Sequence, residues 1–474
     1  MGGNYSYGDD APIAAFATAP GSGALTLIRC CGKGALELAE KIFSAPEKLR
    51  NAAGNTVLHG WIMTPNNEKV DEALLSVFRA PKSYTGEDSL DISCHGGSAA
   101  GRGVMDALHA AGFRDALPGE FTFRAFINGK LDLTRSESVM ELVSAKTDTA
   151  RRYAINRLSG VLEQEINAIK KQLVAILAGV EVFLDYSEDE VSADADESAG
   201  RFAERQRTEE ALSRLRTLAQ SWRRQRIYQE GILAVITGRP NAGKSSLFNL
   251  LLKEERSIVT AIPGTTRDWI EAWVGIEGIP LRLADTAGLR DETSDSIEKL
   301  GVERSRALLE EAELVLYLID GAAGVTGEDE QFIAGLSGPQ SKPLIVLWNK
   351  ADIAPPPPSC DAVSISAKTG AGMAELTAAI AKAAMLPAIG VQAEAEAAGD
   401  DAQDPALGSA RQKNLVEAAI AALEQALALA GKEEPLDLIA SLLREAVNAL
   451  GEITGEVSTA DLLEEMFTRF CVGK

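Results

Sequence analysis

The run Gly238-Arg239-Pro240-Asn241-Ala242-Gly243-Lys244-Ser245 sets two glycines, a lysine and a hydroxyl at the spacing of a phosphate-binding turn. It follows Ile232-Leu233-Ala234-Val235-Ile236, an apolar β-branched run that predicts a buried strand, and precedes Ser246-Leu247-Phe248-Asn249, which predicts the start of a helix. Gly238 and Gly243 let successive backbone N–H groups of this loop, Ala242 among them, turn toward phosphate oxygens. Lys244 would bridge β- and γ-phosphates, and Ser245 would ligate Mg²⁺.

Three further strings add chemistry in a fixed order. Asp285-Thr286-Ala287-Gly288 closes an apolar run, with Asp285 suited to an outer-sphere Mg²⁺ contact and the Gly288 N–H to a γ-phosphate. Asn349-Lys350-Ala351-Asp352 places a carboxylate where it can accept both N–H donors of a guanine edge. Ser366-Ala367-Lys368 would cover the guanine carbonyl. Together the four strings predict a GTP-binding domain. Leu289 stands where a water-orienting Gln is expected, so water must be positioned from elsewhere. Asn241 could offer its amide oxygen to a monovalent cation beside the phosphates, or merely stabilise the loop. The string Thr260-Ala261-Ile262-Pro263-Gly264-Thr265-Thr266-Arg267-Asp268 is a switch candidate, with Thr266 for Mg²⁺ and preceding carbonyls able to complete a K⁺ cage.

The elements that must hold these residues lie in a chain of 474 residues, too long for one core. Hydrophobic content of 46% and charged content of 24% are those of a globular protein, and no apolar run reaches the length of a membrane span. Asp9 and Asp10, with no Lys or Arg before Arg29, fit neither a secretory signal nor a transit peptide. Five scattered cysteines without a CxxC pair point to a reducing cytoplasm and no zinc site. The net charge of −22 argues against nonspecific coating of nucleic acid, though not against a tRNA partner met by a local patch. The arginine-dense stretch 201–226 is either such a patch or a solvated helix face.

Residues 11–130 alternate short apolar strands, glycine turns and helix-like stretches at Gly34–Phe43 and Gly97–Gly112, a compact α+β pattern. From Thr134 to Tyr186 the period turns helical, and Leu158, Leu162, Ile166, Ile169, Leu173, Ile176, Val180 and Phe183 would share one face of a long helix. A second helix is expected over 202–228. Residues 230–385 alternate strand and helix in a doubly wound α/β layout, with strands at Leu281–Ala284, Leu314–Ile319 and Leu344–Leu347. Residues 388–411 read as a linker, and 412–470 as helices completing the layer begun at 134–228.

With these strings in hand the chain resembles the family of tRNA-modification GTPases called MnmE or TrmE. Strings outside the GTP-binding part carry the resemblance: Tyr84-Thr85-Gly86-Glu87-Asp88, Pro118-Gly119-Glu120-Phe121-Thr122, Asn128-Gly129-Lys130-Leu131-Asp132-Leu133 and Phe470-Cys471-Val472-Gly473-Lys474. The resemblance implies a multidomain α/β protein. Residues 1–130 would form an α+β folate-binding and dimerisation domain, and 131–229 with 388–474 a helical domain. An inserted Ras-like P-loop GTPase domain would span 230–387. It implies a cytoplasmic homodimer that joins an FAD-dependent MnmG-like protein in a heterotetramer or larger complex. That complex would add an aminomethyl or carboxymethylaminomethyl group at C5 of the wobble uridine of certain tRNAs, with 5-formyl-tetrahydrofolate or a related derivative as one-carbon donor.

Matched by motif, folate contacts fall on Arg29, Glu87, Lys130 and Lys474, and K⁺ ligands on Asn241, Thr260, Ile262 and Thr265. Mg²⁺ falls on Ser245 and Thr266, and the water-orienting glutamate on Glu298, with Glu292 as the alternative because the loop before it is one residue longer than the pattern. A rival class, a ribosome-assembly or RNA-chaperone GTPase, would carry an RNA-binding module such as a KH domain, and no suitable GxxG loop occurs outside the P-loop.

Overall fold

The computed structural model describes residues 7, 9–19, 21–185, 197–254, 271–285, 307–336, 342–358, 360–389, 403–430 and 435–473. It divides into two compact units, Met1–Met140 with Val447–Lys474, and Glu141–Ala446.

The first unit is built on a sheet of strands β1 (Ile13–Phe16), β2 (Leu25–Cys31), β3 (Thr56–Met63), β4 (Lys69–Phe78), β5 (Ser89–His95) and β6 (Arg114–Asp115), in the order β3-β4-β5-β2-β1-β6. All pairings are antiparallel except β1 with β6. Alternation sets the faces: Ala73, Leu75 and Val77 of β4 are buried while Leu74 between them is 46% exposed. Helices α1 (Ala35–Glu40), α2 (Pro46–Asn51) and α3 (Ser98–Ala111) cover the inner face, where Leu36, Leu49, Val104 and Leu108 meet Ile28, Ile62, Leu90 and Ile92. Two more helices follow, α4 (Glu120–Ile127) and α5 (Leu133–Ser144).

The second unit opens with α6 (Asp148–Leu158), α7 (Val161–Asp185) and α8 (Glu197–Glu230). The long helix expected to begin before Leu158 is broken at Ser159-Gly160, so Leu158 ends α6. Leu162, Ile166, Ile169, Leu173, Ile176 and Val180 are buried along α7, and the side chain of Phe183 lies outside the described residues. Arg205 pairs with Glu209, Arg214 with Glu165, Arg216 with Glu424 and Arg226 with Glu230. Four arginines of the stretch are thus ion-paired on the helix surface, pairs that exposure to water keeps weak.

Next come β7 (Ile232–Gly238), α9 (Lys244–Glu254), β8 (Glu271–Ile276), β9 (Ile279–Asp285), β10 (Leu314–Asp320), α10 (Gly327–Leu336), β11 (Leu344–Asn349), β12 (Val363–Ser364) and α11 (Met373–Ile389). The sheet order is β12-β11-β10-β7-β9-β8, parallel except for the β8–β9 hairpin. Strand β8 was not among the expected strands. Its alternating Ala272, Val274 and Ile276 are buried, a short edge pattern easily passed over beside the continuous apolar runs of β7 and β10. Helices α12 (Ala410–Ala430) and α13 (Leu436–Thr454) return to the helical layer, with Arg216 of α8 on Glu424 and Arg444 on Glu181. The last described helix, α14 (Ala460–Thr468), packs on α4 within the first unit, although 412–470 reads in sequence as one helical layer.

Candidate functional site

In the second unit the chemistry gathers at the carboxyl ends of the parallel strands, where a doubly wound sheet leaves its crevice. Strand β7 ends at Gly238, and the loop to Lys244 turns through Asn241, whose φ of 63° is a left-handed conformation that asparagine tolerates. Gly243 has a φ of 100°, and a Cβ there would run into the Asn349 amide, so only glycine fits. Lys244 Nζ donates to the carbonyls of Gly238 at 3.0 Å and Arg239 at 2.9 Å, which holds the ammonium over its own loop. Ser245 Oγ donates to Asp285 Oδ2 at 2.9 Å, because β9 ends beside the first turn of α9. Ser246 and Asn241 are exposed, whereas Ala242 is buried.

The opposite end of the crevice is organised by Asn349, buried at the end of β11. Its Nδ2 donates to the Ala242 carbonyl at 2.7 Å, and its Oδ1 accepts from the Ala367 N–H at 2.9 Å. One side chain therefore ties the glycine-rich loop to the Ser366-Ala367-Lys368 string. Ser366 Oγ donates to Asp352 Oδ1 at 2.7 Å, orienting an exposed carboxylate, and Lys368 is exposed beside it. Lys350 Nζ reaches Asp320 Oδ2 at 2.6 Å. Burial alone would raise the Asp320 carboxyl, but Lys350 and the N–H groups of Ala322 and Ala323 outweigh it and hold it below the usual aspartate range.

The structure thus brings together Asn241, Ala242, Gly243, Lys244, Ser245, Asp285, Asn349, Lys350, Asp352, Ser366, Ala367 and Lys368. Outside the described residues lie Thr260, Ala261, Ile262, Pro263, Gly264, Thr265, Thr266, Thr286, Ala287, Gly288, Glu292 and Glu298.

A second cluster forms in the first unit from strings far apart in sequence. Arg29 Nε donates to Asp91 Oδ1 at 3.1 Å, and its guanidinium lies 5.8 Å from the Tyr84 ring centroid and 5.9 Å from that of Phe121. The Arg29 guanidinium also donates to the Gly473 carbonyl at 3.5 Å, and the Cys471 carbonyl accepts from the Gly119 N–H at 3.3 Å. Gly119 has a φ of 67°, and a Cβ there would lie 2.8 Å from the Phe467 carbonyl, so the close approach needs glycine. Glu87 Oε2 accepts from Arg124 at 3.2 Å, while Lys130 Nζ donates to the Pro81 carbonyl at 3.0 Å. Lys474 lies outside the described residues.

Behind this cluster sits a buried network around Glu120 of the Pro118–Thr122 string, whose partners Arg114 and Arg124 the sequence reading did not single out. Glu120, with no exposure, takes a two-pronged contact from Arg114 at 2.8 and 2.6 Å and a further one from Arg124 at 2.9 Å. Arg124 and Arg114 could have been suspected only as charged residues inside otherwise apolar helix and strand signals. Burial pushes the neighbouring Cys31 thiol well up, so it is held neutral.

No described helix is long and apolar enough to cross a membrane. The family model described as GTP-binding protein TrmE N-terminus matches residues 12–130, and that of the MnmE helical domain matches residues 133–471. A tRNA modification GTPase MnmE of Treponema denticola is 43% identical over 492 residues, covering 100% of this chain and 99% of its own length. Another, of Symbiobacterium thermophilum, is 40% identical over 474 residues, covering 98% of this chain and 99% of its own. Among solved structures, the G domain of the T. maritima FeoB iron transporter is 25% identical over 32% of this chain and 98% of its own, with a TM-score of 0.25 that carries no argument. Two family models that together run from residue 12 to 471, and relatives alike over their whole length, show that the chain belongs to the MnmE family of tRNA modification GTPases.

Proposed function

We propose that this chain binds and hydrolyses GTP in the crevice above β7, β9 and β11 and thereby drives modification at C5 of the wobble uridine of certain tRNAs. The partner would be an FAD-dependent MnmG-like protein, and a tetrahydrofolate derivative would supply the one-carbon unit to a cytoplasmic homodimer. The observation that carries the nucleotide reading is Asn349, whose amide bonds both Ala242 and Ala367 and so sets the phosphate and base ends at a fixed separation. Asp352, oriented by Ser366, would select guanine.

The donor sets suit the implied groups. Ser245 Oγ beside the Asp285 carboxylate is a hydroxyl with an outer-sphere carboxylate, a pair that Mg²⁺ favours, with Thr266 as the second proposed ligand. Bound Mg²⁺ would neutralise charge on the β- and γ-phosphate oxygens. Asn241, exposed on its left-handed turn, offers an amide oxygen to K⁺ along with Thr260, Ile262 and Thr265. Bound K⁺ would supply the positive charge that an arginine finger supplies elsewhere. Lys244 would hold the phosphates, and Glu298 would orient the attacking water. Arg29 and Lys130 suit folate carboxylates, and Glu87, anchored by Arg124, suits pterin N–H donors. A folate bound there would bring the one-carbon unit.

The test is mass spectrometry of tRNA nucleosides from cells lacking the chain and from the same cells resupplied with it. Unmodified wobble uridine in the first and restoration in the second are expected. Identical nucleosides in both would sink the modification reading. Single-turnover hydrolysis in KCl and NaCl at equal ionic strength tests the cation, and equal rates would remove K⁺ from the mechanism.

A further inference from the structure

Arg239 is the second residue of the phosphate-binding loop, yet its side chain points away from the loop's mouth. Its Nε donates to Asp329 Oδ1 at 3.1 Å, and its guanidinium donates to the Gly324 carbonyl at 2.9 Å. Asp329, in the first turn of α10, has no exposure at all. Its Oδ1 also accepts from the Tyr317 hydroxyl at 2.8 Å, and its Oδ2 accepts from the Thr326 hydroxyl and N–H, each at 2.8 Å. Burial would raise this carboxyl, but Thr326, Tyr317 and Arg239 outweigh it and keep it ionised. A wholly buried carboxylate with four donors is fixed in place.

The fixing reaches the loop through its backbone. The Arg239 carbonyl accepts from Lys244 Nζ at 2.9 Å and from the Ala242 N–H at 3.3 Å, and Asn241 makes its left-handed turn between them. The same brace touches the base end. Gly324 closes a turn whose N–H donates to the Asp320 carbonyl at 2.9 Å, and the Asp320 carboxylate takes Lys350 at 2.6 Å.

We propose that Asp329 is a positioning residue for the nucleotide site: through Arg239 it holds the glycine-rich loop in its binding shape before the nucleotide arrives. The proposal rests on the GTP-binding reading and goes beyond it, because Asp329 lies outside every string that touches nucleotide. The brace also holds the loop closed once nucleotide is bound, so its loss lets the loop open and acts on nucleotide release.

The experiment follows dissociation of a fluorescent GDP from the full chain by stopped flow, alongside thermal unfolding. Asp329→Asn keeps the shape but removes the charge and sets an NH2 group against two of the four donors, and should release GDP roughly tenfold faster, the scale of one lost charge-assisted bond. Arg239→Gln should do the same, and the double variant should be no worse than either alone, since both changes cut one link. Tyr317→Phe removes one of the four donors that fix Asp329 and should speed release by a smaller factor, whereas Val274→Ala, in the apolar core at β8 and away from the brace, serves as the control: it should lower the unfolding temperature and leave release unchanged. If Asp329→Asn lowers the unfolding temperature with release as in the parent, or if the two variants act additively, the positioning role is overturned. A parent chain that does not bind GDP at all would instead overturn the GTP-binding reading.

Discussion

At the scale of single residues, the site separates groups that would touch nucleotide from groups that hold them. Asp352 is exposed and carries one hydrogen bond from Ser366, so its remaining lone pairs face outward. Asp352→Asn should weaken GTP binding by about 100-fold, the loss of a charged acceptor for two donors, and should improve xanthosine triphosphate by a similar factor. Competition calorimetry with the two nucleotides reads this, and unchanged GTP affinity would remove Asp352 from the base site. In the first unit, Glu87→Ala should weaken 5-formyl-tetrahydrofolate binding while GTP hydrolysis stays near the parent rate. Equal affinities by calorimetry would detach Glu87 from the folate reading. The residues that touch ligand were legible because short strings with fixed spacing carry them. Asp329, Arg124 and Asp91 were not, because each acts across the fold on a partner more than thirty residues away, as the 90-residue gap from Arg239 to Asp329 shows.

At the scale of elements, the crevice depends on close approach between the loop after β7 and the end of β11. Gly243→Ala should weaken nucleotide binding by roughly 10- to 100-fold, since a φ of 100° and the Asn349 amide both oppose a side chain, together worth roughly 1–3 kcal/mol. Equilibrium unfolding with and without GDP measures it, and a variant stabilised by GDP as the parent is would refute the packing argument. The Asp320–Lys350 pair joins β10 to β11 with a pH signature. Asp320 has its carboxyl depressed in the fold, so its stabilisation is present above the ordinary aspartate pKa and lost as pH falls through the lowered value. Asp320→Asn should therefore be less stable than the parent at neutral pH, with the gap closing toward pH about 2–3. Denaturant titrations at both pH values show it, and a gap constant with pH would exclude the ion pair as its cause. Parallel strands buried on both faces announce themselves as apolar runs, which is why β7, β10 and β11 were readable. The break between α6 and α7 was not, because Leu158 continues the helical period across the turn at Gly160.

At the scale of the whole molecule, chain order and packing order differ. Residues 447–473 follow the nucleotide-binding unit in sequence but complete the first unit, where Phe467 has no exposure and meets Phe123 edge-on at 5.5 Å and Phe470 at 5.1 Å. Phe467→Ala should destabilise that unit by about 3–5 kcal/mol and leave GDP release from the other unit near the parent value. Two probes, folate binding and GDP release, separate the outcomes, and equal damage to both would deny the units their independence. The helical period over 412–470 predicted helices there, but period alone does not say which apolar surface the last of them meets. The same packing has a consequence for synthesis on the ribosome. The aromatic face of α4 is made early, while the helix that covers it emerges only after the entire nucleotide-binding unit. Until then Phe123 and Tyr7 lack the ring of Phe467. A message cut short anywhere in between yields a chain with a finished GTP crevice at most and a bare aromatic surface, the kind of fragment that chaperones and proteases recognise.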